Sequence, residues 1–544
     1  MKKQFTVFLL VLISCSDKGI YKESLKKVAK SSNGVVATSH PLATKSAIGI
    51  LESGGNAMDA AVAAAFTLTV VEPTMNGLGG RTQILIYSPL TGYHGIDATT
   101  AAPKDYDYDN APKKKYGYPS IGIPGTVKGL DKALQDHGSL KLPEVMKDAI
   151  FYAEKGHRII NGEAKRMAEV NQYLNEFDGT RQYFTNPDGS PYKSGKYLIQ
   201  KDLSDVLKSI SSEGSDVFYK GWIAERMVKD NRKNGGVLSM QALASYSAET
   251  SHIVKGNYKG YKLFALWMPA FGAITIEALH ILEELNNDLS DKNQWAESIY
   301  QAIDAAYLDR RVQFTLEDAD RFTSKEWAKM RANQIKNKFS QNVDELPESY
   351  VAALGHTTHL TVVDKSGMMV SLTQTIGTTM GSKVATPGLG FMYAQTLGGY
   401  LGEITPGMRA PSHISPIIVE RQGKPFLALG AAGGSRIPSS LVAVISRVID
   451  QSFTLDEAMK LPRVHPTAAH IEIENIPRDD SFPSHFTDKI ISMDDSLFFL
   501  RRGLNPRFRD GTGNFGRVYA VMKEGDVWVG VSDPDWQGSS GYVK

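Results

Sequence analysis

The run from Ala57 to Val71 is alanine-rich and, wound as a helix, apolar on nearly every side. A helix without a polar face is stable only when other layers cover it all round. The chain must therefore stack several layers. Asn56 before the run and Pro73 after it are the expected start and stop signals. Upstream, Val35-Val36-Ala37 is strand-like. Ser39-His40-Pro41 then supplies a cap followed by proline at a first helical turn, and Gly54-Gly55 ends that helix. Gln83 to Tyr87 reads as a buried strand. Residues 140–350 read mostly as amphipathic helix with loops such as Asn186-Pro187-Asp188-Gly189, and short strands with glycine turns follow Gly355. Helices packed outside stacked strands predict one large layered α+β domain.

The 61 basic and 59 acidic residues are interspersed and leave a net charge of +2. No basic field is present to hold a nucleic-acid backbone, so nucleic acid is not an expected partner. The Lys113-Lys114-Lys115 run sits among prolines and tyrosines and reads as solvated surface. At the N-terminus, Lys2-Lys3 precede an apolar stretch from Phe5 to Ile13, too short to span a membrane but suited to a signal peptide. It ends at Leu12-Ile13-Ser14-Cys15, and Cys15 is the only cysteine. Residues 1–15 resemble a bacterial lipoprotein signal, with cleavage before Cys15 and lipid on its thiol; the other reading is a plain secretory signal. Residues 16–33, polar and lysine-rich, read as a tether. The expectation is an exported protein, lipid-anchored to a bacterial membrane. With one cysteine there are no disulfides, and stability rests on a large core.

The chemistry points to the second half. His356 to Asp364 and Met368 to Thr375 are strand-like, with Lys365-Ser366-Gly367 as a turn between them, which predicts a β-hairpin. A three-residue turn sets Asp364 opposite Met368 and therefore Thr357 opposite Thr375, with both side chains on one face. Such a pair is either a common cross-strand contact or a nucleophile and its support. A threonine hydroxyl needs a base, and its own α-amine serves once the chain is cut before it. Downstream, the strand Pro425 to Gly430 runs into Ala431-Ala432-Gly433-Gly434-Ser435 and a helix starting near Pro438. Glycine N–H groups at such a turn suit an oxyanion hole, a phosphate cradle or merely a tight turn. No Walker-type lysine, GxGxxG, Gly-x-Ser-x-Gly, HExxH or cysteine-pair pattern points to another chemistry. His40, His359, His413 and His465 are scattered and read as packed or surface residues.

In order along the chain, several blocks resemble the γ-glutamyltransferase family of N-terminal-nucleophile hydrolases. They are Ala37 to Ala43, Gly54 to Ala61, Val71-Glu72-Pro73, Gly77-Leu78-Gly79-Gly80, Pro124 to Val127, Asp309-Arg310, Thr357 to Asp364, Ser412 to Pro416, Gly433 to Ile437, Leu461 to His465 and Ser532-Asp533-Pro534. The resemblance implies an αββα four-layer sandwich. It implies a precursor cut between His356 and Thr357 into a large subunit, 34–356, and a small one, 357–544, that stay together. Thr357 would attack a small-molecule or peptide amide, supported by Thr375, with Gly433 and Gly434 holding the oxyanion. Water or an amine would then accept the acyl group. No metal or cofactor is implied.

The departures concern the acyl pocket. The family's carboxylate-clamping arginine lies in an Asp-Phe-Arg-Glu-x-Ala-Pro stretch, which here reads Asp97 to Pro103 with Thr99 at the arginine. Its serine pair appears as Ser412 and His413, and its three amino-group ligands fall at Gly377, Thr396 and Gly399. The Pro-Pro-Ser-Ser-Gly-Gly run is Met268 to Ala273, and eight residues, Leu401 to Met408, leave no room for a lid loop. Arg81 follows Gly80 where members often have glycine, as a relocated anion ligand or as a surface or structural arginine. The expectation is an autoprocessed amidohydrolase or acyltransferase with a rebuilt acyl pocket. A genuine γ-glutamyltransferase or glutathione hydrolase, and an inactive binding lipoprotein on the same scaffold, remain as alternatives.

Overall fold

The computed structural model describes residues 26–313, 315–338, 356–399, 402–467, 470–476, 484–511 and 515–544. The expected signal and Cys15 lie outside them. All 15 residues of the helix Ala57–Val71 are buried. Asn56 caps it, its side chain accepting from the Met58 and Asp59 N–H groups, while Asp59 accepts the Asn56 N–H at 2.8 Å. The first helical N–H, Ala57, is held at 2.8 Å by the Asp364 carboxylate. That same carboxylate accepts from Ser366 and Met368 in the hairpin turn. One side chain thus ties the buried helix to the hairpin.

Two seven-stranded sheets lie behind this arrangement. The first runs, edge to edge, Ser539–Tyr542, Gly34–Thr38, His356–Asp364, Met369–Gly377, Arg81–Ser88, Gly92–Ala98 and Glu249–Thr250. The second runs Val28–Ser31, Val527–Ser532, Arg517–Glu524, Lys424–Ala432, Ile417–Arg421, Tyr261–Leu266 and Ile253–Tyr258. Val35, Leu85, Val363 and Met369 of the first sheet meet Leu266, Ile418, Ala428 and Val521 of the second. Helices Pro41–Glu52 and Ala57–Val71 cover the outer face of the first sheet, and Gly272–Leu285 and Arg436–Asp450 that of the second. The order is helix, sheet, sheet, helix. Phe66, fully buried in the outer layer, illustrates the scale of this packing: truncation to alanine costs about 3–5 kcal/mol.

Two readings of the sequence need correction. The tether expected over 16–33 ends earlier, because Val28–Ser31 pairs with Val527–Ser532 as an edge strand. Only Ala29 in it is buried, so no hydrophobic run marks it. The helical middle also contains the hairpin Ile253–Tyr258 and Tyr261–Leu266, which completes the second sheet.

Candidate active site

In the hairpin, Thr357 pairs with Thr375, the register that a three-residue turn predicts. Thr375 in turn pairs with Arg81 on the next strand. Directly opposed residues project from the same face, so Thr357, Thr375 and Arg81 form one row. Alternation identifies the face. Val363 lies in the inter-sheet core, while Leu360 and Val362 face the helices. The row therefore faces the second sheet, at the N-terminal end of the strand His356–Asp364.

Across the gap, the strand Lys424–Ala432 runs towards Thr357. Ser371, opposite Thr361, donates to the Leu429 carbonyl at 3.0 Å, and Gly430 sits against the His359 ring. A Cβ on Gly430 would lie 2.2 Å from that ring, so only glycine fits. The strand leaves the sheet at Gly433 and Gly434, both with positive φ, at 150° and 59°. Their carbonyls accept from the Arg436 and Ile437 N–H groups, which turns the chain into the helix Arg436–Asp450. Ala432 pairs with Arg517, whose guanidinium reaches the Thr357 carbonyl at 3.4 Å.

The bond before Thr357 is itself held. The Thr375 hydroxyl donates to the His356 carbonyl at 2.8 Å and accepts from the Gly377 N–H at 2.9 Å. Arg166 Nε donates to His356 Nδ1 at 3.2 Å. Burial, then Arg166, Arg517 and Lys383, hold the His356 imidazole well below its ordinary pKa and hence neutral. Arg166 and Arg517 both stack on Trp536, at 4.1 and 4.2 Å from the ring centroid. Burial and the neighbouring Arg517 push the Arg166 pKa down to about 9, and burial alone brings that of Lys383 to about 8. Two buried acids complete the cluster. Glu72 accepts from Ser39 and Thr358, each at 2.7 Å, and Glu163 from the Thr74 N–H and hydroxyl.

The sequence comparison missed most of these supports. Arg166, Arg517 and Trp536 come from distant segments with no local pattern. Glu72 was visible: a carboxylate at the end of an otherwise apolar helix has to find buried donors.

Of the residues expected to line the acyl pocket, Thr99, Thr396 and Ser412 are buried. Thr99 follows directly on the strand Gly92–Ala98, whose last residue pairs with Thr82, and its N–H donates to the Asp97 carboxylate at 2.9 Å. It is fully buried and donates to the Ala410 carbonyl at 3.0 Å. Thr396 donates to the Thr100 hydroxyl at 2.9 Å. Ser412 accepts the Ile414 N–H at its hydroxyl, and its own N–H donates to the Pro269 carbonyl. His413 packs 4.7 Å from the Phe271 ring; burial, then Arg310 and Arg81, lower its pKa to about 3. Gly377 and Gly399 have positive φ, and Gly399 is exposed. Arg409, just beyond the short loop, pairs with Asp97 at 3.2 Å and Glu249 at 2.9 Å. No cluster of three or more metal-ligating side chains occurs among the described residues.

Comparison with known proteins gives this geometry a family. The sequence model of the family described as Gamma-glutamyltranspeptidase matches residues 43–543. The glutathione hydrolase proenzyme of Escherichia coli (strain K12) is 31% identical over 483 residues, covering 82% of this chain and 83% of its own. The acylase ACY 1 proenzyme of Pseudomonas sp. (strain SE83) is 32% identical over 487 residues, 82% of this chain and 85% of its own. Among solved structures, the cephalosporin acylase from Bacillus halodurans shares the fold, with a TM-score of 0.82 at 24% identity over 95% of this chain and 97% of that one. The chain belongs to the gamma-glutamyltranspeptidase family and is an enzyme of its N-terminal-nucleophile hydrolase type.

Proposed function

We propose that the chain cuts itself between His356 and Thr357 and then hydrolyses or transfers acyl groups from amides, with Thr357 as nucleophile. The observation that carries this is the Thr375 hydroxyl on the His356 carbonyl, directly opposite Thr357. In the cut, Thr357 Oγ1 attacks the His356 carbonyl carbon and the peptide nitrogen leaves as the α-amine, giving an ester. Water then hydrolyses the ester, leaving a carboxylate on His356 and a free amine on Thr357. In turnover, that amine takes the Oγ1 proton as Oγ1 attacks a substrate carbonyl, and passes it to the departing amine. The Gly433 and Gly434 N–H groups steady the oxyanion, and water or an amine removes the acyl group. Relatives named as proenzymes, both a glutathione hydrolase and an acylase, support this reading.

The acyl pocket is read as rebuilt. Thr99 stands at the family's arginine, and Gly377, Thr396 and Gly399 stand at its amino-group ligands. Charge-assisted hydrogen bonds are each worth about 1.5–3 kcal/mol. Their loss makes a γ-glutamyl head costly to desolvate. The Lys2-Lys3, Phe5 to Ile13 and Cys15 pattern supports export with a lipid anchor on Cys15. The test is kcat/KM of fully processed enzyme on a γ-glutamyl anilide beside anilides lacking the α-amino group. The γ-glutamyl compound is expected to be poorer by about 10³-fold or more, for roughly 4 kcal/mol of lost interactions. A wide advantage for it would overturn the pocket reading and restore the ordinary family activity.

A further inference from the structure

We propose that Trp536 is a positioning residue for self-cleavage: through Arg166, Arg517 and Glu72 it sets His356, Thr357 and Thr358, the three residues around the bond to be cut. This inference rests on cleavage between His356 and Thr357.

Each of these three consecutive residues has its own holder. Arg166 Nε donates to His356 Nδ1 at 3.2 Å, Arg517 Nη2 donates to the Thr357 carbonyl at 3.4 Å, and the Thr358 hydroxyl donates to Glu72 Oε2 at 2.7 Å. The holders come from three separate segments. Glu72 directly follows the helix Ala57–Val71, Arg166 lies in the helix Asn161–Glu169, and Arg517 opens the strand Arg517–Glu524. All three meet on one side chain. The two guanidiniums lie 4.1 and 4.2 Å from the Trp536 ring centroid, and the indole N–H reaches Glu72 Oε1 at 3.5 Å. A shift of this one ring therefore moves the holders of all three residues.

The ring is itself fixed. Trp536 lies in the turn between Val527–Ser532 of the second sheet and Ser539–Tyr542 of the first. Lys27 donates to the carbonyls of Asp533 and Trp536, and the Asp533 carboxylate accepts the Val518 and Asp535 N–H groups. The indole rests on Gly162, where a Cβ would lie 2.1 Å from the ring, so the helix that carries Arg166 leaves room for no side chain there. The Gln537 side chain accepts the Gly162 N–H at 2.9 Å and locks the turn to the same helix. Two buried guanidiniums repel each other, and Arg517 accordingly lowers the Arg166 pKa. An aromatic ring attracts both cations and keeps them in place against that repulsion. Placement matters because Thr357 Oγ1 has to meet the His356 carbonyl in a near-attack arrangement, and about 1 Å of misplacement can cost about 100-fold in rate.

The experiment follows cleavage of the freshly translated full chain by denaturing electrophoresis. Trp536→Leu, which removes both the aromatic face and the N–H, should slow the cut about 10- to 100-fold. Trp536→Phe keeps a ring for both cations and should stay within about 5-fold of wild type. Arg166→Met leaves the indole in place and should slow the cut about 10-fold. In a His356→Leu background, which offers Arg166 no acceptor, the same substitution should have no further effect. Loss of general packing would not depend on the residue at 356. Thermal unfolding of each variant in the uncut Thr357→Ala background checks that it folds; where Trp536→Leu does not, Arg166→Met alone and with His356→Leu decides. Folded Trp536→Leu or Arg166→Met protein cut at the wild-type rate would overturn the inference and leave self-cleavage standing. So would Trp536→Phe as slow as Trp536→Leu, or an Arg166→Met effect that persists undiminished with His356→Leu. A wild-type chain that is never cut before Thr357 would overturn the inference together with the reading on which it rests.

Discussion

The hydroxyl of Thr375 donates to the carbonyl oxygen of His356 across 2.8 Å, on the bond that precedes Thr357. An attack by Thr357 turns that oxygen into an oxyanion, so the donor already stands where charge develops. Removing one such donor typically costs about 2.7–4 kcal/mol in the transition state, or roughly 100- to 1000-fold in rate. Freshly translated Thr375→Val protein should therefore be cut about 100-fold more slowly than wild type, and Thr357→Ala should stay a single chain. Denaturing electrophoresis with N-terminal sequencing of the smaller fragment reads both. A Thr357→Ala chain that is still cut before residue 357 would end the proposed mechanism.

A bulky residue at the glycine turn tests the second step separately. Gly433 has φ of 150°, and an added Cβ would lie 2.7 Å from the Gly516 backbone. Gly434, at 59°, is left-handed. Forcing a side chain into such positions costs about 1–3 kcal/mol and moves the N–H groups. For Gly434→Val, kcat on an anilide should fall about 100-fold or more while KM changes little. A rise in KM with kcat preserved would give the turn a role in ground-state binding instead.

How much of this was legible in the sequence follows from range. The helix Ala57–Val71 was readable because its burial is written in its own composition. The Thr357↔Thr375 register was readable because a three-residue turn fixes it locally. The sheet order was not. Each sheet combines strands from before His356 with strands from His356 onward, and no local pattern encodes that Gly34–Thr38 and Met369–Gly377 flank the same strand. Arg81 was noticed in the sequence, but its place beside Thr375 depends on that same order. Arg166 and Arg517 converge on Trp536 and His356 from segments hundreds of residues apart, and no spacing rule reaches that far.

Lipid attachment at Cys15 has a direct readout. In a bacterial host, wild-type protein should sediment with membranes and incorporate labelled fatty acid, and Cys15→Ala should do neither. One acyl chain anchors marginally, so stable membrane retention also requires a second signal, another chain or a basic segment. Wild-type protein free of label would leave an ordinary secretory signal.

The neighbouring buried acids Glu72 and Glu163 give the chain a specific pH response. Burial, then the neighbouring Glu72, raises Glu163 from an ordinary 4.5 to about 7, despite its bonds from Thr74. Between those values the folded chain holds a proton on Glu163 that the unfolded chain has released. Stability therefore falls as pH rises from about 4.5 to about 7, with a slope of at most about 1.4 kcal/mol per pH unit for one proton. The contribution is fully present below 4.5 and gone above the folded pKa. Glu163→Gln cannot titrate, and its amide can still accept from the Thr74 N–H and donate to the Thr74 hydroxyl. In the uncut Thr357→Ala background, the variant should gain on its parent steadily from pH 4.5 to 7, by about 1–3 kcal/mol in total, and hold that gain at higher pH. Urea unfolding of both proteins at half-unit steps from pH 4.5 to 8.5 measures the difference. A gap that does not change with pH would mean that Glu163 is ionised throughout, held so by Arg166 against the cost of its burial.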